Sequence, residues 1–497
     1  MKRVILCCLM ALATLASHAT EMEYVVRLDT TKHYLNVELT LNGQGAQPEV
    51  CLKMPVWAPG YYLIMDYPKH LTDFQVKDAS GNPLPWRKEG KSSWYIKPQG
   101  NNAIHISYRI FANMQSVADS RVNANTAFIA PNGVFLYRDQ AKELPVQVTF
   151  DRPQNWAHTS TGLKKIGEDT YLAKDFDTLY DSPVLMGNQL VKTFELDGHA
   201  YELAMETPDG FEETTFEQDI KKMIQATTLL MGDVPYDNYC FLLLRAGGGG
   251  LEHLNSQASY TSGSFRFRNQ AAYLNFLSFI THEYYHLYNV KSIRPIELGP
   301  FDYDKEVFTP LLWVSEGFTV YYETRNLLRA GIIDTQYVLK EMEGFIQDTE
   351  KHEGHRHMSL RESSYDIWLQ FFNRSANNDD VRISYYIKGP VLGLLFDAQI
   401  RTLTKGKKSL DDLMRLLYNR YCKQLNRGFT EEEFWAAAAE VAGEKLDLLR
   451  RYVDTTDEID YNQILNPIGL YLDDNLNLKF MEKATKEQVQ LRQAMFQ

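Results

Sequence analysis

The chain has few cysteines, no repeats and no long apolar segment beyond its first residues. Of its five cysteines, only Cys51, Cys240 and Cys422 follow residue 20. An odd number of widely spaced cysteines predicts no disulfide framework, and at most one bridge could form. No later stretch reaches the about 18 consecutive apolar residues of a membrane-spanning helix, so none is expected.

Positive charge is also scarce. Asp and Glu outnumber Lys and Arg by 64 to 52, which gives a net charge of −12. Phosphate binding needs a dense basic surface, so we expect no nucleic-acid partner. The chain is 44% hydrophobic and 23% charged, as globular proteins are, which excludes disordered and fibrous classes. A length of 497 residues predicts two to four domains.

The first 19 residues have the pattern of an export signal. Lys2 and Arg3 precede an apolar run, Val4 to Leu15, and the small residues Ser17 and Ala19 provide a cleavage site. The run is too short to cross a bilayer of about 30 Å. We expect an exported protein, periplasmic or secreted. The alternative is a buried N-terminal strand or helix.

Residues 20–190 predict an N-terminal β domain. Apolar and polar side chains alternate in Tyr24–Leu41, Ala103–Ala112 and Leu144–Phe150, and Gly, Pro and Asn bound these runs. Turn signals recur at short spacing, so a sandwich-like arrangement is expected.

Residues 191–455 predict a second domain of a small sheet and a helical bundle, which makes the fold class α+β. Tyr239–Ala246 is a continuous apolar run typical of a buried strand. Helical spacing is present in residues 216–231, 270–291, 311–330, 334–352, 389–405, 408–422 and 430–453. Residues 456–497 form a short C-terminal tail, whose last part is expected to be a polar helix or a frayed end.

The chemistry is concentrated in the H-E-x-x-H motif formed by His282, Glu283 and His286. Residues four apart share one face of a helix, so both imidazoles can bind one metal ion. Glu283 points about 100° away, so it can reach a metal-bound water without being a ligand. The helix is also supported by an apolar stripe on its other side, formed by Tyr273, Leu277, Ile280, Tyr284 and Leu287.

A catalytic zinc ion takes three protein ligands and keeps one position open. Glu316 is the best third candidate because it lies in an apolar helix, where a lone carboxylate is costly without a positive partner. Glu297, Glu306 and Glu323 are its rivals. A second histidine cluster, His352, His355 and His357, is expected to be a solvated loop.

Several segments together resemble the glycyl aminopeptidase family of thermolysin-like zinc metallopeptidases. They are spread over residues 50–400 in a specific order: MPVWAPGYYLIMDYPKH, GGGGLEHLNS, HEYYHLYNVKSIRPIELGPFDY, LLWVSEGFTVYYE and ISYYIKG. The resemblance implies a thermolysin-like catalytic domain after the β domain. Such enzymes usually end in a PDZ domain, but the chain after Thr456 is too short for a complete one.

The resemblance also implies the roles of individual residues. One zinc ion would be bound by His282, His286 and Glu316, with Glu283 as general base. The glycine-rich strand would pair with the substrate backbone through Gly249 and Gly250.

Glu252 would bind the α-ammonium of the substrate, whereas the role of His253 stays open. Tyr386 would donate to the oxyanion, with Tyr385 as the weaker candidate. Core packing is the expected use of Trp57, Tyr61 and Tyr62, with a cleft wall as the alternative.

The predicted function is that of an exported zinc aminopeptidase that cleaves the first peptide bond of peptides. A preference for glycine or alanine as first residue is implied by the resemblance only. A zinc endopeptidase of the same fold and a non-catalytic peptide-binding protein are the alternatives. The oligomeric state is not predicted.

Overall fold

The computed structural model describes residues 21–206, 213–245, 247–261, 267, 269–373 and 375–497. The expected export signal at residues 1–19 lies outside these ranges. None of the described helices combines the length and the apolar character needed to cross a membrane. Cys51, Cys240 and Cys422 are all free thiols.

The first part of the chain forms a β-rich domain, as expected. It contains one short α-helix, α1 (Phe176–Tyr180), and two 3-10 turns, Tyr67–His70 and Pro131–Gly133. Its strands are β1 (Met22–Asp29), β2 (Tyr34–Leu41), β3 (Val50–Lys53), β4 (Leu71–Asp78), β5 (Trp86–Glu89), β6 (Ser93–Ile96), β7 (Ile104–Phe111), β8 (Arg121–Val122), β9 (Thr126–Ile129), β10 (Tyr137–Arg138), β11 (Val146–Asp151), β12 (His158–Thr161), β13 (Lys164–Gly167), β14 (Thr170–Ala173) and β15 (Val184–Gly187).

These strands form three sheets around one core. The largest has the order β13-β14-β11-β1-β2-β7-β4, and two four-stranded sheets have the orders β10-β3-β6-β5 and β12-β15-β9-β8. The alternating pattern of β1 and β2 is explained by their burial, since every second side chain enters the core. Tyr24–Leu41 therefore contains two strands of a hairpin, paired from Met22 with Leu41 to Asp29 with Tyr34.

The second part of the chain contains one sheet and a helical bundle. Its strands are β16 (Leu190–Leu196), β17 (His199–Met205), β18 (Asn238–Arg245), β19 (Gly250–Glu252) and β20 (Ser256–Thr261). Its helices are α2 (Glu213–Met231), α3 (Gln270–Tyr285), α4 (Phe318–Arg329), α5 (Thr335–Lys351), α6 (Leu360–Tyr365), α7 (Ile367–Gln370), α8 (Asn378–Val381), α9 (Tyr385–Thr404), α10 (Leu410–Leu417), α11 (Glu431–Ala442) and α12 (Asp447–Asp454).

The sheet of this domain has the order β16-β17-β18-β20-β19, so β19 lies at its edge. Its middle strand β18 is buried on both faces. Phe241 and Leu243 pack into the helical core, whereas Leu242 and Leu244 pack against the β domain. This double burial is the reason for the continuous apolar run in the sequence.

Three predicted helices are divided in the structure. The segment 408–422 consists of α10 and a following π-helical segment, Tyr418–Gln424. The segment 430–453 begins with a capping box between Thr430 and Glu433, but Gly443 ends the first helix and α12 follows. The segment 311–330 begins as a π-helical turn, Trp313–Gly317, and continues as α4. Sequence spacing does not separate a π turn from an α-helix over so few residues.

The C-terminal segment packs on the helical core. It contains α13 (Tyr461–Leu465), the two-stranded sheet β21 (Leu470–Leu472) with β22 (Leu478–Phe480), and α14 (Lys486–Met495). Leu491 and Met495 of the last helix are buried in that core.

Two glycines allow the π-helical turn to touch helix α9. A β-carbon at Gly389 would lie 2.6 Å from the Cα of Gly317, which is closer than β-carbons in proteins approach other atoms. The turn that carries Glu316 is therefore held against α9 by backbone contact.

The substitution Gly389→Ala tests this contact. We expect a loss of about 1–3 kcal/mol of unfolding free energy from the forced separation of the two elements, measured by denaturant unfolding. Gly344→Ala is the matched control, because Gly344 lies inside α5 with open space around it. The unfolding free energy of this control should increase by up to about 1 kcal/mol, because alanine favours a helix more than glycine does. Equal effects of the two substitutions would contradict the contact.

Candidate metal centre and substrate cleft

Helix α3 places His282 and His286 side by side. Its first turn is capped by the Asn269 side chain, and its apolar stripe lies in the core. His286 is the residue that ends the helix, and its amide still donates to the carbonyl of His282. The Nε2 atoms of the two imidazoles are 3.0 Å apart.

Glu316 reaches the same point from the π-helical turn. Its Oε2 lies 3.2 Å from Nε2 of His286 and 3.6 Å from Nε2 of His282. This oxygen is buried and has no hydrogen-bond partner in the described part of the chain. The structure thus brings together the three residues that the sequence nominated as metal ligands.

Asn289 connects the two elements that carry these ligands. Its side-chain amide donates to the carbonyls of Val314 and Ser315 in the π-helical turn. The backbone carbonyl of Asn289 accepts a hydrogen bond from Nδ1 of His286 at 2.7 Å. Sequence reasoning missed this residue, because a single Asn three positions after the motif carries no recognisable pattern.

Glu323, one of the rivals for the third ligand position, orients His282 instead. Nδ1 of His282 donates to Glu323 Oε2 at 3.0 Å, and the Ser278 hydroxyl donates to the other oxygen. With Nδ1 of both imidazoles used as donor, the Nε2 lone pairs point at the shared centre.

The remaining rivals lie elsewhere. Glu297 accepts a hydrogen bond from Thr309, and Glu306 is exposed in the loop.

The prediction of a solvated loop at His352, His355 and His357 is wrong for the middle residue, His355, which is buried.

A short 3-10 turn, Glu353–Arg356, buries His355 beside Glu350 instead. Among the described residues, these three histidines form no group that could hold a metal ion.

The three nominated ligands interact strongly through their charges. Burial favours neutral imidazoles, but the carboxylates of Glu316 and Glu323 outweigh it and raise the pKa of His282. Glu316 likewise raises the pKa of His286. Although burial acts in the opposite direction, the two imidazoles hold the pKa of Glu316 well below its usual range.

The donor set fits a tetrahedral divalent cation. Ligand atoms at about 2.0–2.2 Å from a tetrahedral zinc ion are separated from one another by about 3.4 Å. The separations of 3.0, 3.2 and 3.6 Å are close to this value. A cation would also supply the partner that Glu316 Oε2 lacks.

Glu283 lies beside the centre and against the edge strand β19. Its carboxylate touches Gly250 so closely that a β-carbon at position 250 would collide with Oε1. Burial raises the pKa of Glu283 to about 7. A carboxylate with this pKa is suited to take up and release a proton near neutral pH.

Glu252 is the last residue of β19, and its carboxylate lies against Gly60 of the β domain. A β-carbon at Gly60 would lie 2.6 Å from Glu252 Oε1, and Gly60 has a φ of +89°, which side chains rarely adopt. One oxygen of Glu252, one of Glu283 and one nitrogen of His286 all lie within 4.8 Å of each other. Gly249 and Gly250 line the same cleft.

A buried ion pair between the two domains lies beside Glu252. Lys291 lies 2.8 Å from Asp181 of the β domain and 4.0 Å from Glu252. Asp181 also accepts hydrogen bonds from His253 Nδ1 and from the amide of Leu254. Although burial alone would raise it, Lys291 and His253 lower the pKa of Asp181 to about 2. His253 therefore serves as a contact with Asp181, a role that the sequence left open.

Tyr386 faces the cleft, and its ring centre is 6.4 Å from that of His282. Burial raises the pKa of its hydroxyl well above the usual value, so this group stays protonated and can donate. Tyr385 packs into the helical core instead.

Tyr61 is partly buried against the core of the β domain, as expected, and it also lines the cleft, which is the alternative use of this residue. Trp57 and Tyr62 are buried against Trp368, as core residues are.

Comparison with solved structures shows the fold. The chain aligns with a crystal structure of an aminopeptidase N family protein from Idiomarina loihiensis at 26% identity and a TM-score of 0.85, covering 94% of this chain and 82% of that one. It aligns with an M1 zinc metallopeptidase from Deinococcus radiodurans at 12% identity and a TM-score of 0.52, over 88% and 94% of the two chains. It aligns with native yeast LTA4 hydrolase at 14% identity and a TM-score of 0.52, covering 90% of this chain and 69% of that one.

No curated protein matches the chain. Two family profiles do match it. Residues 23–188 match the Peptidase M61 N-terminal domain, and residues 275–392, which include all three nominated ligands, match the M61 glycyl aminopeptidase profile. Together these matches cover more than half of the chain. The chain therefore belongs to peptidase family M61, the glycyl aminopeptidase family, and is a peptidase.

Proposed function

We propose that the protein is a zinc-dependent aminopeptidase that removes small first residues, glycine or alanine, from peptides. The observation that carries this proposal is the position of Glu252, whose carboxylate lies beside the metal centre at a place closed by Gly60 of the β domain. The profile match and the zinc metallopeptidase among the solved structures support one zinc ion as the cofactor.

The spacing between Glu252 and the centre favours cleavage after the first residue. In a peptide, the terminal nitrogen and the first carbonyl carbon are about 2.5 Å apart. Glu252 and His286 place an oxygen and a nitrogen within 4.8 Å of each other. An ammonium group held by Glu252 therefore presents the first carbonyl, and no later one, to the centre.

The residues of the chain divide the catalytic work. His282, His286 and Glu316 would hold zinc, which when bound polarises the scissile carbonyl and lowers the pKa of water. Glu283 takes a proton from the attacking water and passes it to the leaving amine. Tyr386 donates a hydrogen bond to the carbonyl oxygen as negative charge develops there.

The edge strand β19 positions the substrate backbone. Its residues Gly250 and Glu252 pair with β20 on one side, and in the described part of the chain no strand pairs with the other side. A peptide can add to this free side by main-chain hydrogen bonds. Export, suggested by residues 1–19, would make extracytoplasmic peptides the substrates.

The requirement for a free amine is tested with alanine anilide and its acetylated form. We expect the native enzyme to cleave the first and to leave the second intact, because acetylation removes the charge that Glu252 binds. Glu252→Gln should raise KM for alanine anilide at least about tenfold, since a charge-assisted contact is lost. Equal cleavage of both forms would indicate an endopeptidase instead.

The role of Glu283 is tested by Glu283→Gln. This variant should retain one zinc per chain, measured by elemental analysis after dialysis, because Glu283 is not a ligand. Its kcat should fall at least about 100-fold, because the proton acceptor is absent. Loss of zinc, or normal turnover with zinc present, would contradict the assignment.

The support of His282 by Glu323 is tested by Glu323→Ala. We expect zinc affinity to fall about 10- to 100-fold in a competition assay with a chelator, because the imidazole loses its hydrogen-bond partner. Glu306→Ala is the control, as this carboxylate is exposed in a loop. An unchanged affinity in Glu323→Ala would show that the contact does not orient the ligand.

A further inference from the structure

A row of aromatic rings crosses the cleft from the β domain to the metal centre. Tyr61 of the β domain contacts Phe372 at a centroid distance of 4.5 Å with the two rings tilted by 34°, and Phe372 contacts Phe371 at 4.8 Å. Phe371 then contacts Tyr386 at 5.9 Å, and Tyr386 contacts His282 at 6.4 Å. Each successive pair lies within the range of ring contacts, so the row is continuous.

The middle of this row is not part of the hydrophobic core. Phe371 and Phe372 are each 39% exposed, and both line the cleft beside Glu252 and the nominated ligands. They directly follow helix α7, which is anchored through Trp368 against Trp57. The fold therefore fixes the start of this segment and leaves two large apolar rings facing the cleft.

The two ends of the row lie beside the two groups that would fix a substrate. Tyr61 follows Gly60, which sits against the carboxylate of Glu252, and Tyr386 is next to His282. The first residue of a bound peptide would lie between these two groups, Glu252 and the metal centre. One wall of this space is the backbone of β19, so the aromatic row, together with Val117, is the apolar surface left for the first side chain.

We infer that the Tyr61–Phe372 contact closes the subsite for the first side chain and restricts it to small residues. This inference rests on the proposed aminopeptidase function. A glycine or alanine leaves the ring contact intact, whereas a leucine side chain needs the space that the two rings occupy. Phe372 and Tyr61 are thus specificity-determining residues supplied by different domains.

The test measures kcat/KM for leucine anilide relative to alanine anilide. In Phe372→Ala and in Tyr61→Ala we expect this ratio to rise at least about tenfold, since added space for a few methylene groups in an apolar pocket has effects of this size. Tyr61→Phe, which keeps the ring contact, should retain the native ratio. Phe308→Ala is the matched control, because Phe308 is 41% exposed and stacks on Tyr365 away from the cleft.

A second series locates the effect along the substrate. Dipeptides Ala-Ala and Ala-Leu vary only the residue after the cleaved bond, and their ratio should stay unchanged in Phe372→Ala. An unchanged leucine-to-alanine anilide ratio in both alanine variants, or a change confined to the dipeptides, overturns the inference. If the native enzyme cleaves neither anilide, the proposed function fails and this inference fails with it, whereas turnover with unaltered selectivity removes the inference alone.

Discussion

The tie made by Asn289 is the constraint on which the rest of the site depends. Two ligands come from α3 and the third from a π-helical turn about 30 residues later, so their convergence requires the two elements to be fixed to each other. The Asn289 side-chain amide supplies this link by donating to two carbonyls of the turn, while the backbone carbonyl of Asn289 orients His286. A π turn frees carbonyls from the regular helical pattern, and here those carbonyls have found a side-chain donor. The close approach of Gly317 and Gly389 also holds the turn against helix α9.

The β domain completes the site as well as covering it. Gly60 lies against the carboxylate of Glu252, and Asp181 holds Lys291 and His253 around the end of the same strand. A buried cation close to Glu252 would compete with a substrate ammonium if it had no other partner. Asp181 is 2.8 Å from Lys291 and Glu252 is 4.0 Å away, so the lysine is paired mainly with the β domain.

Much of this arrangement could be predicted from sequence where the pattern is local. The spacing of His282 and His286 on an amphipathic helix, the apolar run of β18 and the capping box of α11 each depend on residues a few positions apart. Glu316 could be nominated among four carboxylates because burial of an unpaired charge is costly. Asp181, Asn289 and the exposed ring of Phe372 could not be found this way, because their partners are distant in sequence. Their positions follow from packing between elements, which the periodicity of the sequence does not predict.

The contact of Gly60 with Glu252 has a consequence for how the two domains work together. The depth of the cleft at Glu252, the proposed binding site of the substrate amine, is set by a loop of one domain and a strand of the other. Any rotation between the domains would therefore move Gly60 relative to Glu252 and open this end of the cleft, whereas the interval from Glu252 to the metal centre lies within the second domain. The buried Asp181–Lys291 pair links the two domains near this point and so opposes such an opening.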